Sequence, residues 1–318
     1  MTRTQLINQF LEQNNIRNFQ IQEIVGDASF RHYYRITQGD ESLIIMDAPP
    51  PQENIKPFCE IANFLLKNHF SAPKIIAKNE SSGLLLLEDF GDDSYRKVLE
   101  CKVDSEINLY VDAVNLLINL AQINPPDNLP IYDNQLLLKE VMLFVDWYLP
   151  KIALREINTQ QIEEFKQIWI DLFAKLSQPK NLVLRDYHSD NLMILPKRNG
   201  INKVGLLDFQ DAVIGYRAYD LVSLLEDARR DVSKNIQQKM LQHYLNHSNC
   251  NHNQFVIDYQ ILSLQRNIKI IGIFSRLSAR DNKRHYLDFL PRVFGYIHSR
   301  LKDDPFIVIK KFLGQFLE

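Results

Sequence analysis

The chain has 318 residues, of which 45% are hydrophobic, with 37 Lys and Arg against 39 Asp and Glu. This length provides one large domain or two modest lobes with a sizeable core, and a charged fraction of 24% excludes a low-complexity or disordered protein. A formal net charge of −2 argues against a general nucleic-acid binder, which needs a cationic surface to displace counterions.

Targeting and redox signals are weak. No apolar run approaches the roughly 20 residues that cross a bilayer, and residues 1–9 lack the continuous apolar segment of a signal peptide. The three cysteines (Cys59, Cys101 and Cys250) form no CxxC pair, so we interpret them as reduced structural thiols. We therefore expect a cytoplasmic protein without a membrane or nucleic-acid partner.

The first 90 residues alternate short β-favouring runs with turn residues. Five runs predict strands at 19–24, 30–36, 42–46, 74–77 and 83–87. Between the third and fourth strands, residues 56–69 predict a helix, because Phe58, Ile61, Leu65 and Leu66 follow helical spacing. This part of the chain is therefore expected to be a β-rich lobe that contains one helix.

After Gly91 the pattern becomes mainly helical. Amphipathic stretches predict helices at 105–123, 134–149, 159–176, 219–228, 235–246 and 253–278. Two apolar runs, 182–184 and 204–207, are too short for helices and predict buried strands. The order predicts an α+β, bilobal fold with an antiparallel β lobe at 1–89, a larger helical lobe at 90–318 and a site in the cleft between them.

Two segments carry the residues suited to chemistry. Asp186 and Asn191 are five apart in the loop after the first short strand, and Asp208 follows the second, so a hairpin would bring Asp208 beside that loop. Carboxylate and amide oxygens are the hard ligands that Mg²⁺ takes, together with phosphate oxygens and waters. A carboxylate left off the metal can accept a hydroxyl proton. This division of labour is what phosphoryl transfer needs.

The same residues resemble known kinases. Arg185-Asp186 followed by Asn191 matches the R-D-x-x-x-x-N core of the protein-kinase catalytic loop, and Asp208-Phe209 matches its D-F-G segment with Gln210 in place of Gly. The chain is more similar to the aminoglycoside phosphotransferase family, small-molecule kinases with a protein-kinase-like fold. Within that family it resembles the branch that phosphorylates N-acetylmuramate and N-acetylglucosamine. The strings that carry this resemblance are LRDYHSDNLM, LLDFQDA and YDLVSLLEDARRD.

The resemblance implies roles for individual residues, with ATP and Mg²⁺ as cofactors. Asp186 would be the catalytic base, and Asn191 and Asp208 the metal ligands. Residues 26–30 fall where kinases place a turn that covers the phosphates, and Ser29 could donate its amide or hydroxyl to a phosphate.

For the other nucleotide contacts, the chain matches the kinase pattern at the hinge and departs from it in the third strand. Residues 87–91 fall at the hinge, where it implies adenine contacts through the Glu88 carbonyl and the Phe90 amide. Met46 stands where a protein kinase has its phosphate-binding lysine, and a methionine cannot pair with phosphate oxygens. Either Arg31 or Arg35 on the neighbouring strand takes that role, or the phosphates depend on the metal and on backbone donors.

The acceptor pocket is expected near the charged run at 226–231. There Asp227 would bind sugar hydroxyls and Arg229 or Arg230 a carboxylate or phosphate, the alternative being a solvated helix end. N-acetylmuramate carries a lactyl carboxylate, which suits an arginine. His188 and Asp190 are interpreted as scaffold or substrate contacts, since no second histidine stands at metal-ligand spacing.

We therefore expect an ATP- and Mg²⁺-dependent kinase that phosphorylates the anomeric hydroxyl of N-acetylmuramate or N-acetylglucosamine, in peptidoglycan recycling towards UDP-N-acetylmuramate. Its partner is a small amino sugar, and no obligate protein partner is implied. Two alternatives stay open. One is a family kinase for another hydroxyl acceptor, such as an aminoglycoside or choline, which the arginine pair at 229–230 fits poorly. The other is a nucleotide-binding pseudokinase, which Met46 alone favours.

Overall fold

The computed structural model describes residues 2–24, 30–39, 41–101, 105–302 and 304–316. The chain divides into two compact units, each built from two separate segments. Unit 1 comprises Met1–Val103 and Asp190–Asp211, and unit 2 comprises Asp104–Ser189 and Ala212–Glu318. The lobe boundary expected after residue 89 therefore falls inside unit 1, and residues 190–211, assigned from sequence to the C-terminal lobe, belong to unit 1 as well.

Unit 1 is built on a five-stranded antiparallel sheet with the strand order β1-β2-β3-β5-β4. The five predicted strands and the helix between the third and fourth are confirmed. The elements of the first segment are α1 (Arg3–Gln13), β1 (Gln20–Ile24), β2 (His32–Gln38), β3 (Glu41–Asp47), α2 (Lys56–Lys67), β4 (Ile75–Asn79), β5 (Leu84–Glu88) and α3 (Tyr95–Cys101).

The sheet owes its stability to apolar side chains on both faces. The four leucines of β5 are all buried, as a central strand covered on both sides requires. Helix α1, which the strand analysis did not anticipate, begins with a capping box formed by Thr2 and Gln5. It packs Phe10 and Leu11 against Ile36 and Ile45 of the sheet. Each such side chain contributes roughly 1.5–3 kcal/mol when fully buried.

Unit 2 is mainly helical, with β6 (Asn181–Val183) paired to β9 (Val213–Gly215). The six predicted helices are confirmed, with shifts at their ends, and two further helices follow them. The helices are α4 (Glu106–Leu120), α5 (Asn134–Leu143), α6 (Thr159–Phe173), α7 (Ala218–Leu225), α8 (Lys234–His247), α9 (His252–Asp281), α10 (Leu290–Arg300) and α11 (Ile307–Leu313). Helix α5 continues as a π-helical segment, Phe144–Ala153.

Helix α9 is the central helix of unit 2, and most of its length is buried. A glycine allows its closest approach to α5, because a Cβ at Gly272 would lie 2.5 Å from Leu143 Cβ. Among the described residues, no helix is both long and apolar enough to span a membrane.

The second segment of unit 1 is a hairpin. Strand β7 (Leu192–Ile194) pairs antiparallel with β8 (Val204–Leu206), and a short 3₁₀ helix, Gly200–Lys203, lies between them. The Leu206 N–H donates to the Ser71 carbonyl at 2.8 Å, which joins the hairpin to the first segment. The second short strand predicted from sequence therefore pairs with β7, not with β6.

Candidate active site

Asp186 lies in the loop after β6, in unit 2, and is half-buried. Arg185 has a φ of +71°, in the left-handed region, and the Asp186 N–H donates to the Leu184 carbonyl at 2.9 Å. The chain therefore turns sharply just before Asp186. A non-glycine residue in this conformation costs about 1–3 kcal/mol, so neighbouring contacts must hold the loop.

The first of these contacts comes from Asp220 in α7. Its two carboxylate oxygens accept hydrogen bonds from the Leu184 N–H at 2.7 Å and the Arg185 N–H at 2.9 Å. Burial, with a smaller contribution from the charge of Asp186, raises the pKa of Asp220 to about 7, although these two hydrogen bonds act to lower it. Sequence analysis missed Asp220, although an acid in the first turn of an otherwise apolar helix is a signal for it.

The second contact holds the Arg185 side chain. Its guanidinium donates to Glu140, which also accepts the Lys269 ammonium at 3.0 Å and the Tyr132 hydroxyl. Burial works to raise the pKa of Glu140, but the charges of Lys269 and Arg185 lower it overall. Removing one partner of such a buried pair costs roughly 3–5 kcal/mol. Arg185 is thus fixed next to the predicted base.

The third contact lies at the other end of the loop. Asp227 is completely buried, and one of its oxygens accepts the Ser189 hydroxyl at 2.6 Å and the Ser189 N–H at 3.2 Å. Its other oxygen accepts the Arg229 N–H at 2.9 Å. Burial works to raise the pKa of Asp227, but the charge of His188 and these hydrogen bonds lower it overall. Asp227, which we expected to bind sugar hydroxyls, binds the two ends of this loop region through Ser189 and Arg229.

Of the other residues expected at the substrate, His188 and Arg229 lie together and Arg230 has a different partner. His188 is buried, and its Nε2 lies 3.4 Å from Nη1 of Arg229, whose guanidinium is 6.0 Å from the ring centroid of Phe274. Arg230 instead donates to Glu106 at 2.6 Å. The structure brings His188 and Arg229 together and directs Arg230 into an ion pair.

The two predicted metal ligands lie together in unit 1, at the base of the β7–β8 hairpin. The Leu207 N–H donates to the Asn191 carbonyl at 3.0 Å, and the Asn191 amide reaches Oδ2 of Asp208 at 3.4 Å. Asp208 is exposed, with a φ of +56°. An amide and a carboxylate form a hard-oxygen donor set, and Mg²⁺ takes one or two carboxylates and completes its shell with phosphates and water. These residues fit that ion.

Arg35 is one of two candidates for the missing phosphate-binding lysine. It donates to both oxygens of Asp89, at 2.6 and 3.1 Å, and to Asp92 at 2.9 Å. Burial works to raise the pKa of Asp89, and the hydrogen bond from Arg35 helps to lower it below its usual value. The guanidinium of Arg35 is thus engaged by two carboxylates near the predicted hinge.

Arg31, the other candidate, precedes β2 and pairs with Glu53 at 3.0 Å. Both Arg31 and Asp208, the candidate metal ligand, affect the pKa of the nearby Tyr33. Burial and the negative charge of Asp208 raise the pKa of Tyr33 to about 12, while Arg31 acts to lower it. Met46 is fully buried opposite Tyr33 in the sheet. Arg31 therefore belongs to the same electrostatic neighbourhood as Asp208.

Glu88 and Phe90, which are predicted to lie at the hinge, contact the β7–β8 hairpin. Glu88 accepts the guanidinium of Arg198, which also lies 5.1 Å from the ring centroid of Phe90. A Cβ at Gly205 would come within 2.8 Å of the Phe90 ring, so glycine allows this contact. The expected phosphate contact at Ser29 lies outside the described residues.

The chain is similar to known phosphotransferases. The family model of the phosphotransferase enzyme family (APH) matches residues 20–252. The chain is 32% identical to the N-acetylmuramate/N-acetylglucosamine kinase of Caulobacter vibrioides, over 97% of this chain and 95% of that protein. It is 35% identical to the N-acetylmuramate/N-acetylglucosamine kinase of Pseudomonas aeruginosa, over 88% and 83%.

Among solved structures, the ADP-bound aminoglycoside phosphotransferase APH(2'')-Ib superposes with a TM-score of 0.64 and 14% identity, covering 93% of this chain and 98% of that one. This likeness concerns the fold alone. It confirms the expected kinase-like combination of an antiparallel sheet and a larger helical part.

Proposed function

This chain belongs to the phosphotransferase enzyme family, and from that premise we propose that it transfers the γ-phosphate of ATP to the anomeric hydroxyl of N-acetylmuramate or N-acetylglucosamine. The observation that carries the proposal is the contact of Asn191 with Asp208, which unites the two phosphoryl-transfer motifs in one hairpin. The names of two relatives, matched over 83–95% of their length, support the amino-sugar acceptor.

Asp186 is the general base of this reaction. The sugar O1 attacks the γ-phosphorus, the bond to the β–γ bridging oxygen breaks, and ADP leaves. The proton of the hydroxyl passes to the Asp186 carboxylate and then to solvent. An anomeric hydroxyl is more acidic than an ordinary alcohol, so a carboxylate is a sufficient base. A positioned base of this kind contributes about 10²–10⁴-fold to the rate.

The nucleotide is bound by unit 1. Asn191 and Asp208 would hold Mg²⁺, which would neutralise phosphate charge. Arg31 takes the role of the missing lysine, a choice favoured by its interaction with Tyr33, whose pKa the negative charge of Asp208 also raises. The family resemblance supports Ser29 at the phosphates and the backbone groups of Glu88 and Phe90 at the adenine.

The acceptor is recognised by residues of unit 2. Arg229 and His188 bind it, and a guanidinium suits the lactyl carboxylate of N-acetylmuramate. Asp227 positions the loop through Ser189 and Arg229. Arg230 is assigned a supporting role, because its guanidinium is paired with Glu106. The product, a sugar 1-phosphate, suits a later nucleotidyl transfer to a UDP-sugar in cell-wall recycling.

A substrate panel tests the proposal. The protein is incubated with ATP, Mg²⁺ and, in turn, N-acetylmuramate, N-acetylglucosamine, kanamycin or choline, and ADP release is measured. We expect turnover with one or both amino sugars, and a product whose phosphorus NMR signal couples to the anomeric proton. Turnover restricted to kanamycin or choline, or a phosphate on another hydroxyl, would refute the acceptor assignment. No turnover with any acceptor would favour a pseudokinase.

A further inference from the structure

Gln210 stands two residues after Asp208, where the motif of the protein kinases has glycine. Its side chain is 8% exposed, and its Nε2 donates to Oδ1 of Asp208 at 2.7 Å. The amide of Asn191 approaches the other oxygen, Oδ2, at 3.4 Å. Each oxygen of the Asp208 carboxylate is therefore met by one side-chain amide.

The other end of the Gln210 amide is unusual. Its Oε1 is buried, and no donor from the described ranges reaches it. A buried acceptor without a hydrogen bond costs about 1–3 kcal/mol. An apolar side chain of similar length, such as methionine, would fill the same space without that cost. The amide is therefore explained by what its Nε2 does at Asp208, rather than by packing.

The local backbone shows why Asp208 needs such a contact. Its φ of +56° lies in the left-handed region, and the residue is exposed. An exposed carboxylate samples several staggered rotamers unless a neighbour selects one. Phe209 is buried and stacks on Phe58 at a centroid distance of 5.0 Å, which fixes the backbone after Asp208 but not its carboxylate. Gln210 supplies a close restraint on Oδ1 of that carboxylate.

We propose that Gln210 is a positioning residue that holds the Asp208 carboxylate in the orientation that binds the divalent ion. The inference rests on the proposed function, because it takes Asp208 to be a metal ligand. It assigns the Gln210 amide, at a position that is glycine in the kinase motif, to the metal centre.

The test measures Mn²⁺ binding to the full chain in the presence of ADP, by electron paramagnetic resonance of the free ion. Gln210→Met keeps the volume and removes the amide. We expect this variant to weaken Mn²⁺ binding about tenfold, equivalent to about 1.4 kcal/mol. Its affinity for ADP without metal is expected to stay within about twofold of the parent chain, and its apparent KM for the sugar is expected to be unchanged.

Gln237 offers a matched control. Its amide donates to the Val232 carbonyl at 2.9 Å in unit 2, so Gln237→Met makes the same chemical change away from Asp208. It should leave the Mn²⁺ dissociation constant unchanged. Should Gln210→Met fail to fold, as judged by thermal unfolding, Gln210→Gly restores the residue of the kinase motif and is expected to show the same weakened metal binding.

Asp208→Asn separates this inference from the proposed function. Loss of Mn²⁺ binding in Asp208→Asn together with normal binding in the Gln210 variant would overturn the role of Gln210 and leave the metal site intact. Normal binding in Asp208→Asn would overturn the metal site itself, and the role of Gln210 with it. Weakened binding in both variants supports the proposal.

Discussion

The loop of unit 2 that carries the proposed base and the hairpin of unit 1 that carries the proposed metal ligands are held in different ways. Asp220 and Asp227 anchor the loop on both sides of Asp186, and both are buried carboxylates 36 and 38 residues from their partners in the chain. Asp208 is exposed and is contacted by Gln210, two residues away, and Asn191, 17 residues away. The proposed base therefore depends on the tertiary packing of unit 2, whereas the carboxylate of Asp208 is contacted from within its own hairpin and from the residues that follow it.

The largest expected effect comes from removing the base itself. Asp186→Asn should lower kcat by about 10²–10⁴-fold, because the amide cannot accept the hydroxyl proton. Affinity for ADP and Mg²⁺, which depends on the hairpin, should change by less than about threefold. Steady-state kinetics and calorimetric ADP titration measure the two effects. An unchanged kcat would remove Asp186 from the mechanism.

The buried anchor Asp220 predicts a pH dependence of stability. Burial raises its pKa to about 7, so between about pH 4 and pH 7 the folded chain binds more protons at this group than the unfolded chain. Its contribution to stability is therefore fully present below about pH 4 and is lost as the pH rises through 7. Asp220→Asn should remove this dependence.

Urea unfolding of the parent chain and of Asp220→Asn at pH 5 and pH 8 measures the effect. From pH 5 to pH 8, the free energy of unfolding of the parent chain should fall by about 2–3 kcal/mol relative to that of Asp220→Asn. Equal m-values in the two chains serve as the control for two-state behaviour. Parallel pH curves would contradict the assignment.

In unit 1, Arg31 stands just before β2 and Arg35 lies within it, so the two arginines can be compared directly. Arg31→Met should raise the KM for ATP about tenfold, because it removes the cation beside Tyr33, the residue whose pKa also responds to Asp208. Arg35→Met should mainly lower the melting temperature, because it removes the cation that pairs with the buried carboxylate of Asp89. A larger rise in KM for Arg35→Met than for Arg31→Met would reverse the assignment.

The smallest effect concerns the hinge. Gly205→Ala places a Cβ within 2.8 Å of the Phe90 ring, which must shift. We expect the KM for ATP to rise about threefold with no change in the KM for the sugar, in line with ligand contacts that each contribute about 1 kcal/mol. Gly295→Ala in α10, where a Cβ meets nothing within 4 Å, is the control and should leave both constants unchanged. An unchanged KM for ATP in Gly205→Ala would argue against a nucleotide contact at Phe90.

Local patterns predicted most of the elements. Strands β1 to β5, the helix α2 and the helices α4 to α9 were predicted because hydrophobic spacing and turn residues act over a few residues. Helices α1, α3, α10 and α11 and strands β7 and β9 were not anticipated. The pairing of β8 with β7, and not with β6, depends on contacts that no local pattern records.

In the candidate site too, some features follow from local sequence patterns and others only from the tertiary structure. The sequence predicts roles for Asp186, Asn191 and Asp208 because their spacing is part of two short motifs. The contact of Asp227 with Ser189 was not predicted, because only the tertiary structure shows that this carboxylate is buried against the loop. The proposed choice of Arg31 over Arg35 likewise rests on the tertiary structure, because Tyr33 interacts with both Arg31 and the distant Asp208.

The sequence by itself determined the family, the types of secondary structure and the acids and amide suited to phosphoryl transfer, because motifs and hydrophobic periodicity are short-range properties of the chain. Only the tertiary structure decided which charged groups are buried and which partner each one meets. Those outcomes depend on desolvation and on hydrogen bonds between residues far apart in the chain, and neither is written in the local order of residues.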